Sequence, residues 1–390
     1  MRVAFTIIGG KNWTGGYNYL LNLVSVLAEH EKGRVTPVLF FGTDIDKVEA
    51  ADFAAIAGVE VVYSPLMNQA RKTKSLLRAL LFGVDAPARD LFHRHRIDVV
   101  FESAVFFGWR FDLPAIAWIP DFQHRALRHL FSRVGFWKRE LGFRAQVLSG
   151  RAIMLSSEDS RRACEHFYPT TVGRTRVVRF AVPVAQPIGK SEARAIADSY
   201  GLPEQFFFLP NQFWQHKNHL LVLDALALLR ERGKLVAIVA SGKQSDPRDP
   251  EYFSLFEQRL SQLELGKEFR LLGMIPREHL PTLMCASTAV LNPSTFEGWS
   301  TTVEEAKSLG VPMVLSDLVV HREQAGDDAI YFDRFSAIAL AAALQQTHDS
   351  DDIFREERIK LAQTDAERRV KRFAADFVQL VEQSVSPKRG

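Results

Sequence analysis

The feature that most constrains the fold of this chain is an alternation of short apolar runs, rich in β-branched and aromatic residues, with amphipathic segments of helical length. Such an alternation is typical of βαβ units, whose strands form parallel sheets. The runs are almost continuously apolar, as expected for strands that helices cover on both faces. Thirteen runs are predicted to be strands: residues 3–8, 37–41, 59–63, 98–101, 115–119, 153–156, 176–180, 206–210, 235–240, 269–272, 289–291, 312–315 and 330–332.

Residues 181–189 interrupt this series once, with two prolines, a glycine and no helical period. We interpret them as an interdomain linker, because 390 residues suggest two domains or a little more at about 150 residues each. The predicted division is an N-terminal domain (1–185), a C-terminal domain (186–369) and a C-terminal helix (370–390). That helix carries Val370, Phe373, Phe377, Leu380 and Val381 at helical spacing. The predicted fold class is α/β, with two doubly wound domains facing across a cleft that holds the ligands.

Charge is distributed unevenly along the chain. Residues 1–185 carry a net charge of +8 and the remainder −5, within a total of +3. A basic first half fits an anionic lipid surface, a phosphorylated acceptor or nucleic acid. The chain begins with a strand-like run, shows no signal peptide and contains no apolar run of roughly 18 residues. We therefore expect a cytoplasmic protein, either free or on the cytoplasmic face of a membrane.

The stretch from Asn292 to Pro312 is the most informative for function. A strand ends near Leu291, a loop follows, and a helix is predicted to begin near Thr301 and to end at Gly310 in a left-handed cap. The first amides of a helix have no partner within it. Together with the helix dipole, the amides from Ser300 to Val303 therefore suit a phosphate or diphosphate.

Two carboxylates, Glu297 and Glu305, flank this predicted anion site. Carboxylates repel a phosphate, so their presence favours another task, such as accepting hydrogen bonds from vicinal sugar hydroxyls. An alternative is that one glutamate closes a capping box, either Thr301 with Glu304 or Thr302 with Glu305. If Thr301 is the N-cap residue, Glu304 closes the box and Glu305 is free for a ligand.

Two other strand ends carry candidate ligand contacts. Lys217 follows the strand at 206–210, where a helix begins, and a cation beside the positive end of a helix favours a bound anion. A loop with Gly9, Gly10, Gly15 and Gly16 follows the first strand and allows close approach of the backbone to a ligand. The loop matches neither G-x-G-x-x-G nor a Walker loop.

Taken together, these residues resemble the retaining GT-B glycosyltransferases of family four, the glycosyl transferases group 1. Glu297 and Glu305 match the E-x7-E motif of that family, and the glycine loop and the pair Lys217-Asn218 match its other marks. The resemblance implies a nucleotide-diphosphate sugar as donor, bound by the C-terminal domain (186–369), and an acceptor bound by the N-terminal domain (1–185). It also implies that the C-terminal helix (370–390) crosses back to the N-terminal domain, and that no metal ion and no other cofactor is required.

By the same resemblance, Glu305 binds the ribose hydroxyls and Glu297 contacts the donor sugar near its reacting end. Lys217 and the amides of Ser300, Thr301 and Thr302 hold the diphosphate. Further candidates for donor contacts are Gln212, Gly15, Gly16 and Gly242.

The sequence departs from the family pattern at two places. Gln212 stands where the family usually has an arginine, and Arg270, Arg277 or Lys243 are open alternatives for the missing charge. Pro120-Asp121 stands where the family often has a His-Asp pair. Asp121 fits the second residue of the pair, and His124 is the candidate for the role of the first, so both are predicted to orient acceptor or sugar hydroxyls.

The predicted reaction is transfer of a hexose-type sugar, with retention of anomeric configuration, to a saccharide or lipid-linked saccharide acceptor in cell-surface polysaccharide or glycolipid assembly. Residues 71–82 and 125–144 mix basic and apolar residues, which suits an anionic membrane; alternatively, both pack on the core. No nucleic acid partner is expected. Rival hypotheses are a nucleotide-sugar epimerase or hydrolase on the same fold and a catalytically inactive nucleotide-sugar-binding protein. A dinucleotide oxidoreductase is less supported, because no G-x-G-x-x-G follows a strand.

Overall fold

The computed structural model describes residues 1–6, 14–103, 105–183, 188–350 and 355–385. Every predicted strand is confirmed, and the bounds differ by a few residues at most. The strands are β1 (Arg2–Thr6), β2 (Thr36–Phe41), β3 (Glu60–Tyr63), β4 (Val99–Ser103), β5 (Ala115–Trp118), β6 (Ala152–Leu155), β7 (Thr175–Val177), β8 (Phe207–Leu209), β9 (Ile238–Ala240), β10 (Phe269–Leu271), β11 (Ala289–Asn292), β12 (Met313–Ser316) and β13 (Ala329–Phe332).

Helices connect almost all successive strands, as βαβ units require. They are α1 (Thr14–His30), α2 (Lys47–Ala54), α3 (Lys72–Leu81), α4 (Ala86–Arg94), α5 (Gln123–Ala126), α6 (Arg133–Leu148), α7 (Glu158–Phe167), α8 (Lys190–Ser199), α9 (His219–Glu231), α10 (Tyr252–Gln262), α11 (His279–Ala286), α12 (Thr301–Leu309), α13 (Val319–Ala325), α14 (Ala337–His348) and α15 (Arg355–Val385). Among the helices of the described ranges, none has the length and apolar character needed to cross a bilayer.

The chain forms two compact units. The first contains residues 1–125, 133–183 and 368–390, and the second contains residues 126–132 and 184–367. The short segment 126–132 thus clusters with the second unit, although it falls within the predicted domain 1–185. Helix α15 begins at Arg355, well before the predicted residue 370, and only its part from Arg368 onward belongs to the first unit.

Each unit is built on one parallel sheet with Rossmann-like order. The first sheet has the order β3-β2-β1-β4-β5-β6-β7, and the second has the order β10-β9-β8-β11-β12-β13. In both, the chain starts at a central strand, builds outward in one direction and then returns to build in the other. Ligands of such sheets bind at the carboxyl ends of the strands where this reversal occurs. In the second unit that place lies between β8 and β11.

The cores explain why the helices cover the sheets. In the second unit, one buried cluster joins the sheet to α9 and α14 on one face, and another joins it to α8, α11 and α12 on the other. In the first unit, the end of α15 supplies core side chains: the ring of Phe377 lies 5.9 Å from that of Phe5 and 5.7 Å from that of Phe101. The five apolar residues predicted for the buried face of this helix are all buried.

Candidate functional site

The candidate site lies at the switch point of the second unit, where one loop follows β8 and another follows β11. Asn218 adopts a left-handed backbone conformation (φ 61°) between a short 3-10 turn and α9. Its carboxamide donates hydrogen bonds to the carbonyl oxygens of Pro293 (3.1 Å) and Arg334 (2.9 Å). The amide of Thr295 donates to the carbonyl of His216 at 2.8 Å. These bonds fix the two loops to each other and so fix the side chains they carry.

Lys217 and Glu297 form a close, mostly buried ion pair. Lys217 Nζ lies 2.6 Å from Glu297 Oε1, and their side chains are 15% and 10% exposed. The hydroxyl of Ser294 lies 2.7 Å from the same carboxylate oxygen. Burial alone would raise the pKa of Glu297, but the charge of Lys217, supported by the nearby imidazoles, lowers that pKa to about 2. Glu297 is therefore a carboxylate at any physiological pH.

A buried polar network contacts the Lys217–Glu297 ion pair through the hydroxyl of Ser294. Asn292, at the end of β11, and Ser294 are both completely buried. The carboxamide of Asn292 donates to Ser300 Oγ (3.0 Å), and its oxygen accepts from Asn211 (3.4 Å) and lies 2.6 Å from Ser294 Oγ. Sequence reasoning assigned no role to Asn292 or Ser294. The available signal was a pair of small polar residues directly after an apolar strand.

The start of α12 corrects two predictions. The N-cap residue is Ser300, whose hydroxyl accepts a hydrogen bond from the amide of Val303 at 3.4 Å, so neither Thr301 nor Thr302 closes a capping box. The amide of Ser300 donates to Gln324 Oε1 at 3.0 Å, and Gln324 Nε2 donates back to the carbonyl of Ser300 at 3.0 Å. Ser300 is therefore unavailable as an amide donor for a phosphate. Thr301 and Thr302 are the first residues of the helix, where amides have no intrahelical partner.

The two adjacent glutamates of α12 have different environments. Glu304 is buried and accepts a hydrogen bond from Gln324 Nε2 at 3.3 Å, so it has a structural partner other than a cap. Glu305 is half-buried, and no side chain within the described ranges donates a hydrogen bond to its carboxyl group. Burial raises the pKa of Glu305 to about 7, and the charge of Arg277 only partly opposes this effect. Glu305 is thus a carboxyl group that would gain from hydrogen-bond donors of a ligand.

Gly242 and Gln212 lie side by side at the ends of β8 and β9. Gly242 has a φ of 147°, and a Cβ atom there would lie 2.5 Å from the carbonyl oxygen of Asn211. Only glycine permits this close approach, which seats the loop after β9 against the loop that carries Gln212. Gln212 is half-buried and supplies no charge to the site.

Arg248 is a cation of this region that sequence reasoning missed. Its guanidinium carbon lies 4.9 Å from the ring centre of Trp214, and Nη2 lies 3.2 Å from Nδ1 of the buried His216. Asp246 holds it in place with a salt bridge of 3.1 Å. Three residues were predicted as alternatives for the charge missing at Gln212. Arg270 donates a hydrogen bond to the carbonyl of Gly201 (3.4 Å), the charge of Arg277 lowers the pKa of Glu305, and Lys243 is exposed.

The remaining predicted residues belong to the first unit. Gly15 and Gly16 lie in the first turn of α1, and residues 9–13 of the glycine loop lie outside the described residues. Asp121 accepts hydrogen bonds from the amide of Gln123 (2.8 Å) and from Arg139 (3.0 Å).

His124 is completely buried, and its Nε2 lies 3.2 Å from Glu140. Glu140 also accepts from Arg125 (2.9 Å), Arg144 (2.7 Å) and Tyr168 (2.8 Å). The burial of His124 in this network argues against the predicted contact with a substrate and favours a structural role.

Within the described ranges, no three His, Cys, Asp or Glu side chains cluster as metal ligands would. The cations and polar groups around α12 are instead suited to an anion beside hydroxyl groups. Cations and amides of this kind can bind a phosphate group, and carboxylates can accept hydrogen bonds from hydroxyl groups.

Two Rossmann-like units in one chain, followed by a C-terminal helix, define the GT-B class of folds. Residues 190–365, which lie in the second unit, match the family model described as glycosyl transferases group 1. The fold of the whole chain is similar to a crystal structure of Anabaena Alr3699/HepE in complex with UDP and glucose. The TM-score is 0.71 at 16% identity, covering 98% of this chain and 99% of that one.

Two curated relatives match shorter segments. O-antigen chain mannosyltransferase B of Escherichia coli is 37% identical over 87 residues, which are 22% of this chain and 23% of that protein. A Bacillus subtilis protein named as glycosyltransferase EpsF is 30% identical over 115 residues, which are 30% of this chain and 28% of that protein. The matched segments therefore span about a quarter of each curated relative.

Proposed function

We propose that this protein is a glycosyltransferase that moves a hexose from a nucleotide-diphosphate sugar to a saccharide or lipid-linked saccharide, with retention of anomeric configuration. One observation carries the proposal. A buried lysine–carboxylate pair (Lys217–Glu297) lies before a helix start whose first amides have no intrahelical partner. One turn further along that helix lies Glu305, whose carboxyl group accepts no hydrogen bond from any described side chain. This spacing suits a donor sugar, a diphosphate and a ribose in sequence.

In this proposal each group has one task. Lys217 and the amides of Thr301 and Thr302 stabilise the charge that builds on the leaving diphosphate. Because that charge is larger in the transition state than in the bound donor, they lower the barrier. Glu305 accepts the ribose hydroxyls, and Glu297 accepts hydroxyls of the donor sugar. Arg248, beside His216, is the second cation of the site and offsets the neutral Gln212.

The proposed chemistry breaks the bond between the anomeric carbon and the diphosphate oxygen and forms a bond from that carbon to an acceptor hydroxyl. The acceptor attacks from the face that the diphosphate leaves, and its proton passes to the departing phosphate oxygen. The described residues around Glu297 supply hydrogen bonds and charge for this step, and the proposal requires no covalent sugar–enzyme intermediate.

The names of the relatives support a role in cell-surface polysaccharide assembly. One matched relative is an O-antigen chain mannosyltransferase, and the structural neighbour named above was solved with UDP and glucose. We accordingly propose UDP-glucose and GDP-mannose as the first donors to test. We place the protein in the cytoplasm, where nucleotide sugars are available.

The test begins with a thermal-shift panel of nucleotide-diphosphate sugars, because a bound ligand stabilises the folded protein by mass action. Steady-state transfer rates then compare the native protein with Lys217→Ala. Loss of a preorganised charge partner predicts a fall in kcat/KM of about 100-fold or more. Lys234→Ala removes an exposed lysine from the turn that follows α9 and serves as the matched control, with a native rate expected. The anomeric configuration of the product, read by NMR, tests retention.

Three outcomes would contradict the proposal. Native transfer rates in Lys217→Ala would remove the role given to this lysine. Turnover of the donor that needs no acceptor would favour an epimerase or hydrolase. Tight donor binding without turnover on any acceptor would favour a binding protein, a function consistent with the neutral Gln212.

A further inference from the structure

Helix α3 exposes an apolar face that no described residue of the first unit covers. Its only buried residue is Ala79. At 100° per residue, the leucines at 76, 77, 80 and 81 occupy an arc of about 140° on one side of the helix. All four are exposed, from 39% at Leu80 to 74% at Leu81, and Phe82 directly after the helix is 67% exposed. Contiguous apolar patches of this kind mark interaction sites in soluble proteins.

The opposite side of α3 is anchored to the protein. Arg78 forms a salt bridge of 2.8 Å with the buried Asp85, and Ser75 donates a hydrogen bond to the same carboxylate. Because these anchors lie on the far side of the helix, they hold the leucine face outward. The exposure is therefore a built property of the helix, fixed by polar contacts behind it.

A second element extends the apolar face. The amide of Arg110 donates to the carbonyl of Gly83 at 2.7 Å, which ties the loop at 105–110 to the end of α3. Trp109 packs over Gly83, with its Nε1 2.7 Å from where a Cβ atom would lie, yet remains 50% exposed. The α3 surface thus consists of Leu76, Leu77, Leu80, Leu81, Phe82 and Trp109.

The segment that carries this surface is basic, although Asp85 pairs with Arg78 and Asp44 lies near Lys72. Residues 65–84 contain four Lys or Arg and no Asp or Glu. Arg71 and Lys74 are exposed, and neither forms an ion pair with any residue of the described ranges. Lys72 and Lys74 fall at the two margins of the leucine arc, where a long side chain can extend from an apolar region to charged headgroups. A protein partner with a neutral groove would not require this arrangement.

We propose that the α3 surface docks on an anionic lipid bilayer, with its leucines, Phe82 and Trp109 entering the acyl boundary and its cations meeting the headgroups. The inference concerns the first unit and does not depend on the proposed transferase activity. Helix α6 is the internal competitor, because it exposes Trp137 and Leu141. Two of its cations, Arg139 and Arg144, are engaged by Asp121 and Glu140, whereas Arg133 and Lys138 are exposed. The α3 surface is preferred because it exposes six large apolar side chains, against four on α6.

Flotation of the full chain with lipid vesicles tests this assignment. One set of vesicles contains phosphatidylcholine alone. The other contains about 30 mol% phosphatidylglycerol, which makes it moderately anionic. The native protein is expected to float with the anionic vesicles and to be released by high salt. Leu81→Ser/Phe82→Ser is expected to lower the partition coefficient by about 30-fold. Arg71→Ser/Lys74→Ser is expected to lower it by about 30-fold as well, because each cation contributes about 1 kcal/mol at an anionic surface.

The matched control is Leu235→Ser/Leu361→Ser, which removes two exposed leucines of the second unit and is expected to float like the native protein. Circular dichroism and the thermal midpoint verify that each variant is folded. Native flotation of Leu81→Ser/Phe82→Ser would overturn the proposal. Loss on Trp137→Ser/Leu141→Ser without loss on Leu81→Ser/Phe82→Ser would assign the contact to α6 instead. Self-association through α3, measured by sedimentation without any flotation, would show that a second copy covers the surface.

Discussion

Replacing Glu305 by Gln is expected to stabilise the unliganded protein and to weaken donor binding at the same time. Burial raises the pKa of this carboxyl group from 4.5 to about 7. Above pH 7 the folded protein therefore carries a charge that is less well solvated than in the unfolded chain. Glutamine has the same shape and no charge, so the substitution removes that cost.

The magnitude follows from linkage between protonation and folding. A folded-state pKa about 2.5 units above the unfolded value corresponds to about 3 kcal/mol at pH 8. Because the side chain is only half-buried, solvent screening reduces this to about 1–3 kcal/mol. Because the pKa is raised on folding, the stability that Glu305 contributes is fully present below pH 4.5 and is lost as the pH rises to 7. The advantage of Glu305→Gln therefore grows from near zero at pH 4 to its maximum at pH 8.

Urea unfolding at several pH values measures this difference. Glu257→Gln, on an exposed position of α10, is the matched control for the loss of one negative charge, and less than about 0.5 kcal/mol is expected there. Calorimetric titration with a nucleotide-diphosphate sugar supplies the second readout, with binding weakened about tenfold or more in Glu305→Gln. If the difference in unfolding free energy between Glu305→Gln and the native protein stays the same from pH 4 to pH 8, the reasoning about burial is refuted. Unchanged donor affinity would refute the assigned ribose contact.

Two further predictions concern the stability of the folded protein. Gly242→Ala places a Cβ atom 2.5 Å from the carbonyl oxygen of Asn211 and should lower the free energy of unfolding by about 2 kcal/mol or more. Gly233→Ala is the control: its φ is also positive, but its Cβ atom would meet nothing within 4 Å, so a loss of only about 1 kcal/mol is expected. Equal losses in the two variants would show that the close approach of Gly242 to Asn211 is unimportant. Glu140→Gln should destabilise the protein by about 3 kcal/mol at pH 7, because it removes a carboxylate that the folded protein stabilises. Burial alone would raise the pKa of Glu140, but hydrogen bonds from its partners lower that pKa to about 2; the partners are Arg125, Arg144, Tyr168 and His124. Since that pKa is lowered, the contribution is lost as the pH falls from 4.5 to 2, and a difference that persisted undiminished at pH 2 would contradict this account.

The fold class was accessible from the sequence because apolar periodicity is a local property. Strands covered on both faces must be apolar throughout, so the run at 289–291 marks β11 without any knowledge of its neighbours. The length of α15 was missed for the opposite reason. The first half of α15, from Arg355, is polar and clusters with the second unit. The sequence therefore shows no apolar stripe before Val370 from which this part of the helix could be predicted.

The site was predicted in part. The E-x7-E spacing drew attention to Glu297 and Glu305, but the identity of the N-cap residue depends on which side chain meets the amide of Val303, and Ser300 does so. The partner of the Ser300 amide is Gln324, a residue 24 positions along the chain that only packing of α13 brings near. The environment of His124 was equally invisible, because Glu140 reaches it from another helix.

The sequence by itself determined that this chain would fold into two parallel α/β units and that a helix start after β11 would gather charged residues. These properties depend on side chains a few positions apart, whose geometry the backbone fixes. Only the tertiary structure decided which groups have partners within the protein. Glu304 accepts a hydrogen bond from Gln324, Glu305 accepts none from the side chains that the structure describes, and the leucines of α3 are exposed. Burial and pairing depend on contacts between distant segments, and those contacts exist only once the chain has folded.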